Sequence, residues 1–142
     1  MVRKNEREPS RFETADIALK MSAHTYSVVS NPKIFSPIYA KLTNRISYEA
    51  SMIYHKVRIA NEIRVKSPEE AKKRLDLQDE ALGLCEDLIT DILIAKRVFK
   101  LRMKKTVYWN SLVLETKQKI ISWHKSDIIR FRESGITRDD GC

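Results

Sequence analysis

The sequence predicts an all-α protein, an antiparallel up-and-down four-helix bundle, on three observations. Breakers are nearly absent: between Ser10 and Ser134 there is one glycine, Gly83, and three prolines, Pro32, Pro37 and Pro68. So few breakers over such a stretch favour long helices. Apolar residues also recur at three/four spacing, as in Leu42, Ile46, Ala50, Ile53, Val57 and Ala60, the mark of an amphipathic helix. Finally, the connections between these segments are short, which makes consecutive helices antiparallel neighbours.

The first helix is expected over about 14–30, with Thr14 placed to cap it and "NPKIFSP" ending it. The second is expected over about 37–64. The third opens on "SPEE", where Ser67 can cap, Pro68 takes the first helical position and Glu70 can reach back to complete a capping box. It should run to Phe99 or Leu101, with Leu75, Leu82, Cys85, Ile89, Ile92 and Phe99 on the core stripe and Leu88 and Ala95 alongside. The fourth is expected from near Thr106 to Arg132, where "SG" stops it. Residues 1–12 and 134–142 read as flexible tails around one domain, 13–133.

With 142 residues, 42% hydrophobic and 32% charged, the composition is that of one globular domain with a sizeable core. No apolar run approaches the ~20 residues that span a bilayer, and "MVRKNEREPSRFE" lacks the apolar core of a signal peptide. A cytoplasmic location is the expectation. Cys85 within an apolar helical pattern and Cys142 at the last position do not make a disulfide framework.

The formal charge is +8, and all of it is local. Residues 95–125 hold nine Lys/Arg against Glu115 alone, a net +8, while the remainder holds eighteen of each sign. Conversely, 68–91 carries eight acids and three bases. The densest run is "IAKRVFKLRMKK", 94–105, with Lys96, Arg97, Lys100, Arg102, Lys104 and Lys105 and no acid. Basic patches of this kind attract polyanions such as RNA or DNA. The competing reading is a cationic helix C-terminus complementing the macrodipole, or a solvated face. If the third helix continues that far, Lys96, Arg97, Lys100 and Lys104 share one sector of it. Lys117 and Lys119, on a fourth helix returning antiparallel, extend the candidate surface.

No active site is apparent. His24, His55 and His124 are scattered over three helices without a metal-ligand pair, and phosphate-binding glycine loops and nucleophile elbows are missing. Glu49 and Glu62 lie too far apart along the second helix to act together, and Glu115 stands alone. The expectation is therefore a non-enzyme without metal or cofactor. Tyr108, Trp109 and Trp123 could stack on bases, although their spacing suits packing better for the tryptophans. The cations are not opposite a continuous apolar face, which argues against a membrane-surface role. On the second helix, Tyr48, Met52, Ile59 and Ile63 form an apolar strip rotated from the core stripe, a candidate surface for self-association or a widening of the core.

Several stretches resemble a known four-helix-bundle family: "IYAKLTNRI" (38–46), "IAN" (59–61), the acid-rich opening of the third helix, and "ISWHKSD" (121–127) with its Trp123. This family comprises the accessory variability determinant proteins of diversity-generating retroelements and the proteins encoded within intervening sequences of 23S ribosomal RNA genes. The resemblance spans roughly residues 13–130. It implies a homopentameric barrel with a basic surface that binds nucleic acid and partners with a reverse transcriptase in mutagenic retrohoming. Under it, Lys96, Arg97, Lys100, Lys104, Lys117 and Lys119 would contact RNA or DNA, and the strip on the second helix would serve assembly. The alternatives are the ribosomal intervening-sequence branch, or an interaction scaffold whose basic face docks an acidic protein partner.

Overall fold

The computed structural model describes residues 11–137. The tails expected at 1–12 and 134–142 thus lie largely outside the described residues. Within them the chain is all-helical: α1 (Arg11–Val29), a 3-10 turn (Pro37–Tyr39), α2 (Ala40–Glu62), α3 (Pro68–Phe99) and α4 (Met103–Glu133). Each helix packs on its chain neighbours, and α1 closes the ring against α4. Side-chain bonds fix the antiparallel register. Trp109 Nε1 donates to Thr25 Oγ1 at 2.9 Å between α4 and α1. Arg45 meets Asp91, and Lys56 meets Glu80, between α2 and α3. Lys117 engages Glu86 between α4 and α3.

The start of α3 follows the capping logic of "SPEE". Glu70 N–H donates to Ser67 Oγ at 3.2 Å, while Glu70 Oε1 reaches back to the Lys66 N–H at 2.8 Å, one residue beyond the usual partner. Two helices begin earlier than the sequence signals place them. The N-terminus of α1 is at Arg11, so residues 11 and 12 are helical rather than tail, and α4 starts at Met103 rather than near Thr106.

Along α2, Ile46, Ala50, Ile53, Val57 and Ala60 are wholly buried and Leu42 is half-buried. On α3 the buried line is Ala81, Cys85, Leu88, Ile92 and Ala95, which rotates the core away from the expected Leu75, Leu82 and Ile89. Those three are half-buried on the flank. The rotation has a cause. Arg74 and Gln78 occupy core positions of α3 because Asp127 of α4, itself buried, binds both of them.

Two short connections share one end of the bundle: 30–39 between α1 and α2, and 100–102 between α3 and α4. The latter is a left-handed C-cap at Lys100 (φ 54°), with Lys100 N–H and Leu101 N–H both bonded to the Lys96 carbonyl.

Candidate nucleic-acid interface

The break after Phe99 changes the geometry of the basic segment. Lys96 and Arg97 lie in the last turn of α3, where cations complement the negative helix end. Lys100 is the cap residue. Arg102, Lys104 and Lys105 instead stand at the N-terminus of α4, so Lys104 does not share a helix face with Lys96 as a continuous helix would require. The first turn of α4 has no acid, and its N-cap residue, Arg102, makes no side-chain cap. Cations at a helix N-terminus oppose the macrodipole, and the first-turn amides have no intrahelical acceptor. Helix-end complementarity therefore explains Lys96 and Arg97 but is opposed by the other three.

Lys100 carries a second local cost. It is the one non-glycine with positive φ among the described residues, at a position where glycine is the usual choice. A lysine there is disfavoured by about 1 kcal/mol relative to glycine.

Lys100, Arg102, Lys104 and Lys105, but not Lys96 or Arg97, converge on a cleft of about 920 Å³ at this end of the bundle. Its cationic lining is Lys33, Lys100, Arg102, Lys104 and Lys105, with no acid among the lining residues. The floor is aromatic. Phe35 sits between Phe99 (ring centroids 4.4 Å apart) and Trp109 (6.4 Å). At the rim Tyr108, 47% exposed, meets the His24 ring edge-on at 5.0 Å. Partial burial, reinforced by the charge of Lys20, lowers the His24 pKa, so its ring is a neutral aromatic surface near pH 7.

None of Lys33, Lys96, Arg97, Lys100, Arg102, Lys104 or Lys105 forms an ion pair with another described residue; Lys96 Nζ lies 3.3 Å from Met103 Sδ. Lys117 and Lys119 are placed differently. Lys117 pairs with Glu86, and Lys119 lies 3.9 Å from Glu13, both well down α4, with Lys117 about 22 Å along the axis from Arg102 at 1.5 Å per residue. Sequence reasoning missed Lys33. It lies in the α1–α2 connection, remote from the charged run, and only the antiparallel return of α1 brings it to the cleft. The run of Lys/Arg located the rest.

Trp109 and Trp123 are buried packing residues, while Tyr108 is available at the surface. On α2, Tyr48 (60% exposed) and Ile59 (46%) face solvent and Met52 is half-buried. The helix ends at Glu62, short of the expected 64, and leaves the half-buried Ile63 in extended backbone beyond it. Exposed apolar residues also recur at sevenfold spacing on α1 (Phe12, Leu19, Tyr26) and on α4 (Val107, Leu114). His55 is exposed, and no group of three or more metal-ligating side chains occurs among the described residues. No described helix is long and apolar enough to cross a membrane.

Fold and site together define a four-helix protein with a basic, aromatic-floored cleft at one end. No family model, curated protein or solved structure matches the chain.

Proposed function

We propose that this chain is a non-enzymatic nucleic-acid-binding protein whose contact surface is the basic end of the bundle. The observation that carries the reading is the concentration of unpaired cations where local physics disfavours them: Lys100 in a left-handed cap, and Arg102, Lys104 and Lys105 at a helix N-terminus. A polyanion seated there offsets both penalties, since helix N-termini and clustered Lys/Arg favour phosphate. On the resemblance noted above, the protein serves as an accessory to a retroelement reverse transcriptase and assembles through Tyr48, Met52, Ile59 and Ile63. The exposure of Tyr48 and Ile59 supports that assembly surface.

The test is fluorescence anisotropy with a structured RNA and a matched DNA across a salt series. Log affinity should fall with log salt at roughly 0.7–0.9 per phosphate neutralised, so several contacts give a steep line. Lys96→Glu/Arg97→Glu/Lys100→Glu should abolish binding with the helical circular dichroism retained. Unchanged binding in that triple variant would refute the site.

A second reading, docking of an acidic protein partner, uses the same cations. It is favoured if salt-sensitive binding is seen with an acidic polypeptide and not with either nucleic acid.

A further inference from the structure

The basic end is more than a charged face, because the cleft within it has an apolar interior. Resting on the nucleic-acid reading above, we propose that this cleft receives one unpaired nucleotide of a single strand, its base against Tyr108 and His24 and its phosphates on Lys100, Arg102, Lys104 and Lys105.

Three features select this ligand. The space, about 920 Å³, is within the range of small-molecule sites and holds a single nucleotide with room to spare. The lining divides by chemistry: the half-buried Phe99, backed by the buried Phe35 and Trp109, forms the floor, cations line the mouth, and no acid is present. That division suits a ligand with a flat, weakly polar body and a multiply anionic tail. Inorganic phosphate would leave the rim rings and the apolar interior unused, and a duplex keeps its bases stacked inside and offers no free base face to a ring. The third feature is the His24–Tyr108 pair at the rim. Tyr108 exposes nearly half its surface, and His24, its pKa lowered by partial burial, stands at 89° to it, so the pair offers an aromatic corner that does not repel a nearby cation. Bases splayed from a single strand stack on such side chains irrespective of sequence.

The experiment uses the full chain and a labelled single strand of about a dozen nucleotides, as RNA and as DNA, beside a duplex of the same length. Tyr108→Ala and Ser27→Trp both leave the charge unchanged. The first removes the stacking ring and the second fills the mouth from an exposed position. Each should weaken single-strand binding roughly 5- to 100-fold, leave duplex binding unchanged and keep the salt slope. Tyr108→Phe, which keeps the ring, should restore affinity, and the retained duplex binding of Tyr108→Ala excludes a folding defect. Equal binding of single strand and duplex, unaltered by either variant, would overturn the cleft assignment while leaving the nucleic-acid reading intact. Absence of binding to any of the three probes would remove both. Tighter binding of polyglutamate than of either strand, equally insensitive to Tyr108→Ala, would assign the cleft to an acidic peptide instead. The RNA and DNA arms decide which polymer supplies the nucleotide.

Discussion

Arg74 of α3 and Asp127 of α4 meet at 2.7 Å with their side chains 4% and 2% exposed, at the end of the bundle opposite the cleft. The ion pair is completed on every side. Arg74 Nη1 donates to the Ile63 carbonyl, Gln78 Nε2 and Arg130 Nη2 donate to Asp127, and Arg74 lies 5.2 Å from the Trp123 ring. Gln78 Oε1 can only accept, so His124 Nδ1, 2.7 Å away, carries the proton between them. This network ties the α2–α3 connection to α4.

Removing one partner of a buried pair strands the other charge. Asp127→Ala is expected to destabilise the fold by about 3–5 kcal/mol, whereas the double replacement Arg74→Met/Asp127→Leu should recover much of that loss. Urea denaturation of the three proteins checks this. A single variant as stable as the parent would show that the pair contributes nothing.

Glu49 of α2 provides a pH dependence. Burial, followed by its hydrogen bond to Asp91 and the charges of Asp91 and Asp87, pushes its carboxyl up to about 8. Asp91 is held below its ordinary value, chiefly by the Arg45 guanidinium at 2.8 Å. At neutral pH Glu49 is thus protonated and donates to the Asp91 carboxylate. The unfolded chain releases the Glu49 proton near 4.5 and the folded chain near 8, so stability should decline as pH rises through that interval. Asp91 acts oppositely, costing stability only as pH falls through its depressed value. Glu49→Gln should flatten the decline and exceed the parent at pH 8, by on the order of 2 kcal/mol. Thermal melts from pH 5 to 8 measure it, and parallel slopes would contradict it.

Lys100→Gly separates stability from binding. Relief of the left-handed backbone should raise stability by ~0.5–1 kcal/mol, a few degrees in melting temperature. Loss of the cation should weaken nucleic-acid affinity at the same time. A variant that gains in both would show that Lys100 has no part in binding.

Lys104→Glu and Lys105→Glu should likewise act in opposite directions. An acid in the first turn of α4 complements the helix N-terminus and should stabilise by about 0.3–1 kcal/mol each. Binding to RNA or DNA should fall steeply, with a shallower salt slope. Lys117→Glu is the comparison: its ammonium already belongs to Glu86, so the slope should stay nearly constant while stability drops modestly.

If the α2 strip holds subunits together, Tyr48→Lys/Ile59→Lys should reduce the mass measured by light scattering to that of one chain. Both side chains are exposed, so the fold of the chain itself should be unaffected. An unchanged mass would move the assembly surface elsewhere, with the exposed Val107 and Leu114 of α4 the next to test.

Much of this protein is set by local sequence. Helix number, the "SPEE" start of α3 and the buried face of α2 follow from breaker placement, capping and 3.6-residue periodicity, all of which act within a few neighbouring residues. So does the location of the excess charge. What tertiary structure decided is which polar groups go inside and which distant residues meet. Arg74 reads as a surface cation until Asp127 arrives from α4 to neutralise it, and this pairing turns the core face of α3 away from Leu75 and Leu82. Glu49 looks solvated until burial beside Asp91 holds its proton. The cleft follows the same rule: Lys33 and Phe35 belong to one connection and Lys100 to another, and only the antiparallel packing of four helices places both connections at one end.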